Sequence, residues 1–176
     1  MDTLTITTDR LELIAGTRAM ARAEVDDPAV VFRLLQAERP ADWPPPLNDE
    51  QSARYFADRL DEAPDQVGWL LWYAALRQRR HRRRVIIGNI GFKGGPDADG
   101  TVEIGYSMRP AFQGRGYATE AAHGLIAWAF THPEVRRVVA DTFPDLTASI
   151  RVLEKNGFRP AGPGAEPGSI RFQLDR

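Results

Sequence analysis

The sequence predicts an α+β fold, a mixed sheet flanked by helices, and two observations predict it. Apolar strand-like runs cluster in the first two thirds of the chain, at 69–77, 85–93 and 101–109. Strand and helix patterns then alternate to the C-terminus.

Taken in order, Thr3–Ile14 alternates weakly as a first strand. Thr17–Val25 and Pro28–Gln36 read as short helices, with Asp27 placed to cap the second. Trp43-Pro44-Pro45-Pro46 interrupts any helix and marks a loop; its Trp43 is positioned to line a substrate cleft. Asn48–Leu60 is amphipathic, with Ala53, Phe56, Ala57 and Leu60 on one face. Trp69–Arg77 and Val85–Lys93 are apolar strand runs, and Asp99-Gly100 signals the hairpin turn before the next strand. In Thr101–Arg109, Val102, Ile104, Tyr106 and Met108 alternate as in a half-buried strand that Pro110 ends. Ala118, Ala121, Ala122, Leu125 and Ala129 follow at helical spacing. Val135–Thr142 is a further strand. Asp145–Asn156 is a helix, with Asp145 a candidate cap and Gly157 the C-terminal stop.

The 176 residues suit one domain spanning 1–176, and 43% hydrophobic content is ordinary for a globular chain. No apolar run approaches membrane-spanning length and no signal peptide opens the chain, so a cytoplasmic location and no membrane partner are expected. The absence of Cys excludes disulfides, a thiolate nucleophile and thiolate metal sites. His123 and His132 lack metal-ligand spacing with acidic residues, so no metal is expected. A net charge of −1 gives no general affinity for nucleic acid. The stretch 77–84, with six arginines in eight positions, reads as a solvated hairpin tip or as a docking patch for RNA or an acidic protein.

The chemistry concentrates at residues 113–119, Gln-Gly-Arg-Gly-Tyr-Ala-Thr, between a strand and a helix. Gly114 and Gly116 permit positive φ and close backbone approach. A helix starting there opens with unpaired N–H groups and the positive end of its dipole, which suits a phosphate or pyrophosphate. Arg115 adds a formal charge. No Lys follows Gly116, which excludes a P-loop, and Thr119 makes a dinucleotide fingerprint only partial. Gln113, Gly116 and Ala118 fit the acyl-CoA pattern Q-x-x-G-x-G/A. A glycine-rich turn without a ligand is the plain alternative.

Four motifs in order carry a wider resemblance: G-N-I-G-F (88–92), E-I-G-Y (103–106), Q-G-R-G-Y-A-T-E-A (113–121) and S-I-R-V-L-E-K-N-G-F (149–158). The chain resembles the GNAT superfamily of acyl-CoA-dependent N-acetyltransferases. T-D-R-L-E-L (8–13) is similar to the first strand of the RimJ/RimL-like protein N-terminal acetyltransferase branch. The resemblance implies a largely antiparallel sheet of six to seven strands. Its order would be one strand, two helices, three strands, a helix, a strand, a helix and two strands. It implies acetyl-CoA as co-substrate, with Ser107, Met108 and Arg109 beside the pantetheine and residues 113–119 on the pyrophosphate.

The same resemblance makes Glu103 a candidate base and Ser149 a candidate acid for the departing thiolate. In simple alternation Glu103 points away from Val102 and Ile104, as a solvent-facing residue would. Ser149 read plainly is a helix-surface residue. The branch commonly carries Asn three residues before this Ser; here it is Leu146. The implied acceptor is a primary amine, first a protein or peptide α-amino group, then a small amine including an antibiotic. The implied assembly is a monomer or homodimer. A different class, a non-catalytic acyl-CoA sensor or nucleic-acid-docking module on the same fold, also accommodates Leu146 and the arginine run.

Overall fold

The computed structural model describes residues 3–77 and 83–176. Thr5–Thr7 (β1) and Leu11–Ala15 (β2) form a hairpin. Arg18–Asp26 (α1), Pro28–Leu34 (α2) and Glu50–Glu62 (α3) follow, capped by the side chains of Thr17, Asp27 and Asp49. Leu71–Leu76 (β3), Ile86–Phe92 (β4) and Thr101–Met108 (β5) come next. Tyr117–Ala129 (α4), Arg137–Thr142 (β6) and Thr147–Lys155 (α5) precede a final hairpin of Arg159–Pro163 (β7) and Ile170–Asp175 (β8).

The described strands make one eight-stranded sheet in the order β1-β2-β3-β4-β5-β6-β8-β7. Every pairing is antiparallel except β5 with β6. The α+β expectation holds, with one strand more than the seven of the expected order and with three helices rather than two before β3. The extra strand comes from the expected single run Thr3–Ile14. It folds back at Thr8–Arg10, where the Thr8 hydroxyl accepts the Leu11 N–H at 3.0 Å. The arginine run lies largely outside the described residues. Of its flanks, Arg84 pairs with Glu12 at 2.9 Å and Arg83 with Glu38 at 3.1 Å.

Helices cover both faces of the central strands. Leu11, Leu13, Trp72, Ala74, Phe92, Val102 and Ile104 pack under α4 through Ala121, Ala122 and Leu125. Ile14, Leu71, Tyr73, Ala75 and Ile86 pack on the opposite side against Met20, Val31 and Phe32. This two-sided cover is why L-W-Y-A-A-L and I-I-G-N-I-G-F are continuous apolar runs rather than alternating ones.

The sheet is incomplete at its middle. β5 and β6 pair only over Thr101–Glu103. Beyond Glu103, β5 follows β4 to Met108 and β6 follows β8 to Thr142. The Lys93 N–H donates to the Glu103 carbonyl and the Arg109 N–H to the Ile87 carbonyl, at 2.9 and 2.8 Å. The odd residues of β5 therefore turn their backbone toward β4. Ile104, Tyr106 and Met108 turn theirs into the gap between β5 and β6.

Two glycines paired in register, Gly91 and Gly105, test which parts of this arrangement are close-packed. A Cβ on Gly91 would stand 1.9 Å from the Leu70 carbonyl oxygen, whereas one on Gly105 meets nothing within 4 Å. Gly91→Ala is expected to cost about 2 kcal/mol or more, lowering the thermal midpoint by several degrees. Gly105→Ala is expected to leave the midpoint within about a degree of wild type. Thermal unfolding followed by circular dichroism checks both; equal midpoints would refute the packing argument.

Candidate functional site

The turn after β5 is assembled from sequence-local parts. Pro110–Phe112 forms a single 3-10 turn, and the Gln113 amide donates to the Met108 carbonyl at 2.8 Å. Gly114 and Gly116 adopt φ of 70° and 78°, in the region where a Cβ is unfavourable. Gly116 is the N-cap of α4 and supplies no side-chain partner to the helix. The first N–H groups of α4 are thus available to an anion, at the positive end of a thirteen-residue helix. Gly114, Arg115 and Gly116 are exposed, while Tyr117, Ala118 and Thr119 are half-buried.

Arg10 braces this turn from the β1–β2 hairpin. Its guanidinium pairs with Glu120 at 2.6 Å, donates to the Arg115 carbonyl at 3.0 Å and lies 4.5 Å over the Tyr117 ring. The Arg10 N–H and the Thr8 hydroxyl also donate to Glu120, at 2.7 and 2.6 Å. Partial burial pushes the Glu120 carboxyl upward, but these donors together hold it below the usual range. An open groove of about 990 Å³ leads away from the turn, with Arg10, Gly116, Thr119, Lys155 and Asn156 in its walls. Asn156 donates to the Thr119 carbonyl at 3.3 Å and ties the end of α5 to the first turn of α4.

The residues expected beside a pantetheine separate by backbone direction. Met108 faces the gap. Ser107 and Arg109 turn their backbone toward β4, and their side chains fasten the 40–48 loop. The Ser107 hydroxyl donates to the Pro46 carbonyl. The Arg109 guanidinium binds Asp42 at 2.7 Å and the Ile86 carbonyl at 2.8 Å.

Ser149 sits in α5 across the gap from β5, and the Tyr106 hydroxyl lies 3.2 Å from both its Oγ and its carbonyl oxygen. Burial pushes the Tyr106 phenol up to about 12, while the Ser149 hydrogen bond pulls the other way. Tyr106 is therefore a neutral O–H donor at neutral pH. Alternation alone reads Tyr106 as core, and only the gap reveals that its hydroxyl meets α5.

Glu103 lies on the face opposite α4, at the last rung of the β5–β6 ladder. Its carboxylate is bridged to Lys93 and stands 4.0 Å from Arg171, which binds Asp141 at 2.7 Å. The open space at Gly105 separates Glu103 from Ser107 on this face. Leu146 is the N-cap of α5 and supplies no side-chain hydrogen bond. Asp145 does not take the capping role expected of it, because its carbonyl rather than its carboxylate receives the Thr147 N–H.

On the same face, the 40–48 loop closes a cavity of about 220 Å³ that contains Glu24, Arg39, Trp43 and Asn89. Trp43 is a core residue, packed with Phe32 and Tyr73, that also lines this cavity. Glu24 carries no motif that would have singled it out, and Asn89, although inside G-N-I-G-F (88–92), is given no role of its own by the sequence. Among the described residues no group of three or more His, Asp or Glu is arranged to hold a metal ion. No helix among them is long and apolar enough to cross a membrane.

Comparison with known proteins identifies the family and the fold. A family model described as an acetyltransferase (GNAT) domain matches residues 18–159. The uncharacterized N-acetyltransferase YjdG of Bacillus subtilis is 30% identical over 151 residues, covering 85% of this chain and 84% of its own length. The apo structure of RimL, a ribosomal L7/L12 α-N-protein acetyltransferase, superposes with a TM-score of 0.67 at 18% identity, covering 100% of this chain and 96% of that one. The microcin C7 self-immunity acetyltransferase MccE, solved with acetyl-CoA and AMP, gives 0.62 at 19% identity, covering 96% of this chain and 94% of that one. At these identities the two structures establish a shared fold.

Gly116→Val is expected to weaken coenzyme A binding at least about a hundredfold, since a β-branched residue disfavours the φ of 78° and shields the helix N-terminus. Calorimetric titration with coenzyme A measures it. Wild-type affinity in a folded variant would make the turn purely structural.

Proposed function

The chain belongs to the GNAT acetyltransferase family, and we propose that this acyl-CoA-dependent N-acetyltransferase moves an acetyl group from acetyl-CoA to a protein or peptide α-amino group. The observation that carries the cofactor assignment is the uncapped start of α4 behind Gly116, next to a strand edge that no other strand among the described residues covers. The RimL likeness supports the acceptor class. The reading takes residues 1–176 as one catalytic domain working in the cytoplasm, as a monomer or homodimer.

In this reading the pyrophosphate lies on the 113–119 turn, with Arg115 adding charge. The pantetheine runs along β5 as an added strand would, using backbone groups of Met108 and Tyr106. The amine arrives from the face bearing Glu103, through the space left by Gly105. Its nitrogen bonds to the thioester carbonyl carbon while the carbon–sulfur bond breaks. A backbone N–H of Met108 or Tyr106 stabilises the carbonyl oxygen as it gains charge. The amine proton leaves toward Glu103, directly or through water, and Ser149 with Tyr106 protonates the thiolate. An α-amine, at a pKa of about 7.7–8.0, is already partly neutral near pH 7, whereas a lysine amine at about 10.4 is not. The acceptor class therefore suits a carboxylate that is already engaged by Lys93.

Release of coenzyme A with a panel of peptides and small amines, and mass analysis of the product, tests this function. Acetylation at the peptide α-nitrogen is expected. Turnover confined to lysine side chains or small amines would replace the acceptor class, and failure to bind acetyl-CoA at millimolar concentration would remove the reading.

The two acid–base candidates are expected to leave different signatures. Glu103→Gln should retain acetyl-CoA affinity and lose about 10²–10³ in rate, with the deficit shrinking as pH rises and the acceptor neutralises unaided. Ser149→Ala should be indifferent to acceptor protonation and recover with a thioester whose leaving thiol is more acidic. Full rate in Glu103→Gln at neutral pH would assign the deprotonation to water or to the amine's own low pKa.

A further inference from the structure

We propose that the cavity on the α1–α3 face is an anchoring pocket for a second, positively charged group of the acceptor, received by Glu24 and Asn89; this rests on the amine-acetyltransferase reading above. At about 220 Å³ the cavity is smaller than the 300–1,000 Å³ usual for drug-sized ligands and fits one side-chain-sized group.

Its polar groups are incompletely matched. The Glu24 carboxylate accepts from Trp43 Nε1 at 3.2 Å and from the Tyr73 hydroxyl at 3.0 Å, both neutral donors. Arg39 acts on it only at longer range. Burial pushes the Glu24 carboxyl above its ordinary value, against the pull of those two donors. A carboxylate in that position gains from a cation that enters and completes its shell. Asn89 is only 6% exposed, and among the described residues its side-chain amide makes no hydrogen bond, although it lines the cavity. The charged lining is three carboxylates, Glu24, Asp49 and Glu50, against one guanidinium, Arg39. Trp43 adds an aromatic wall, held by Phe32 and Tyr73 at centroid distances of 5.2 and 6.2 Å. An aromatic face beside a carboxylate favours an ammonium or guanidinium.

The register fixes how far this pocket lies from the reacting edge. Tyr73 pairs with Asn89, and Asn89 pairs with Ser107 of β5. The Tyr73 backbone therefore lies about two strand spacings, roughly 10 Å, from β5 along the sheet, and Glu24 is carried above that strand on the Tyr73 hydroxyl. A base must lie within one hydrogen bond or one water of the amine it deprotonates, so Glu24 is an anchor and not the base. The Ser107–Pro46 and Arg109–Asp42 contacts hold the Trp43 loop at that distance. The matching acceptor carries a cation about 10 Å from its reacting amine. A Lys or Arg within the first residues of a peptide does so, and the distal amine of a small diamine supplies the same chemistry.

The test is calorimetric binding to the full chain saturated with coenzyme A. The probes are amidated tetrapeptides Ala-Lys-Ala-Ala and Ala-Ala-Ala-Ala, and 1,7-diaminoheptane, whose extended chain spans the required separation. Wild type is expected to bind the lysine peptide about tenfold more tightly than the alanine peptide. Glu24→Gln, nearly isosteric, should abolish that preference without altering coenzyme A or alanine-peptide binding. Asn89→Asp, which adds a carboxylate to the same cavity, should enlarge the preference. Glu24-dependent binding of the diamine alone would identify a small amine as the source of the cation and keep the pocket. Equal binding of both peptides together with diamine binding indifferent to Glu24→Gln would overturn the proposal. Because the readout is binding, Glu24-dependent recognition without acetylation would fault the catalytic reading and leave the pocket standing. Acetylation of both peptides alike, with no Glu24 dependence, would fault the pocket alone.

Discussion

The architecture turns on a hydrogen-bond ladder that stops early. β5 and β6 exchange backbone contacts for three residues and then part at Glu103, leaving the Ile104 C=O, both backbone groups of Tyr106 and the Met108 N–H without a partner strand among the described residues. Backbone polar groups are costly to leave unpaired away from water, so this edge is a standing demand for an extended, hydrogen-bonding ligand. The edge stays where it is because β5 is bound along its other side to β4 and β6 is bound to β8. Neither can swing to close the gap without breaking a complete ladder. Tyr106 spans the opening to Ser149, so α5 is referenced to β5 by side chains where the backbone ladder is missing.

The glycine turn beside that edge is held by contacts distant in sequence. Gly114 and Gly116 allow the turn its shape, but Arg10 and Glu120 hold it in place. Half of the Arg10 side chain and most of the Glu120 side chain are sheltered, so this pair is screened less than the exposed ion pairs of α1 and α3. The Thr8 hydroxyl and two Arg10 donors converge on one carboxylate, which makes the β1–β2 hairpin a clamp on the start of α4. The T-D-R segment that splits the expected first strand in two is the segment that makes this clamp.

The face opposite α4 depends on a different set of fastenings. The Pro-rich loop carries Trp43 into a cluster with Phe32 and Tyr73, and it is pinned to β5 through Pro46 and Asp42. The residues that were expected to touch the cofactor, Ser107 and Arg109, are the ones that do the pinning. One strand thus presents its backbone edge to the gap and its side chains to the 40–48 loop. The gap and the cavity under that loop are consequently related through the ladders of β3, β4 and β5.

What the sequence determined by itself is what short-range physics controls. Helices α1, α2 and α3 begin at Thr17, Asp27 and Asp49 because those side chains cap them locally. The turn at 113–116 was legible because positive φ requires glycine, and the two-sided burial of β3 and β4 was written in their unbroken apolar runs. The tertiary structure decided everything that needs two distant segments to meet. Alternation could not distinguish Tyr106 from its core neighbours Ile104 and Met108, since its hydroxyl matters only where β6 has departed. Nothing around Glu24 marks it locally, and the G-N-I-G-F motif does not show that Asn89 meets it, because the cavity joins α1, a loop and β4 from three separate stretches. Arg10 looked like one residue of a strand, and its pairing with Glu120, 110 positions away, arises only when the hairpin packs on α4. Local propensity and periodicity act over a few residues, whereas a site is made by side chains whose proximity is set by the register of the sheet.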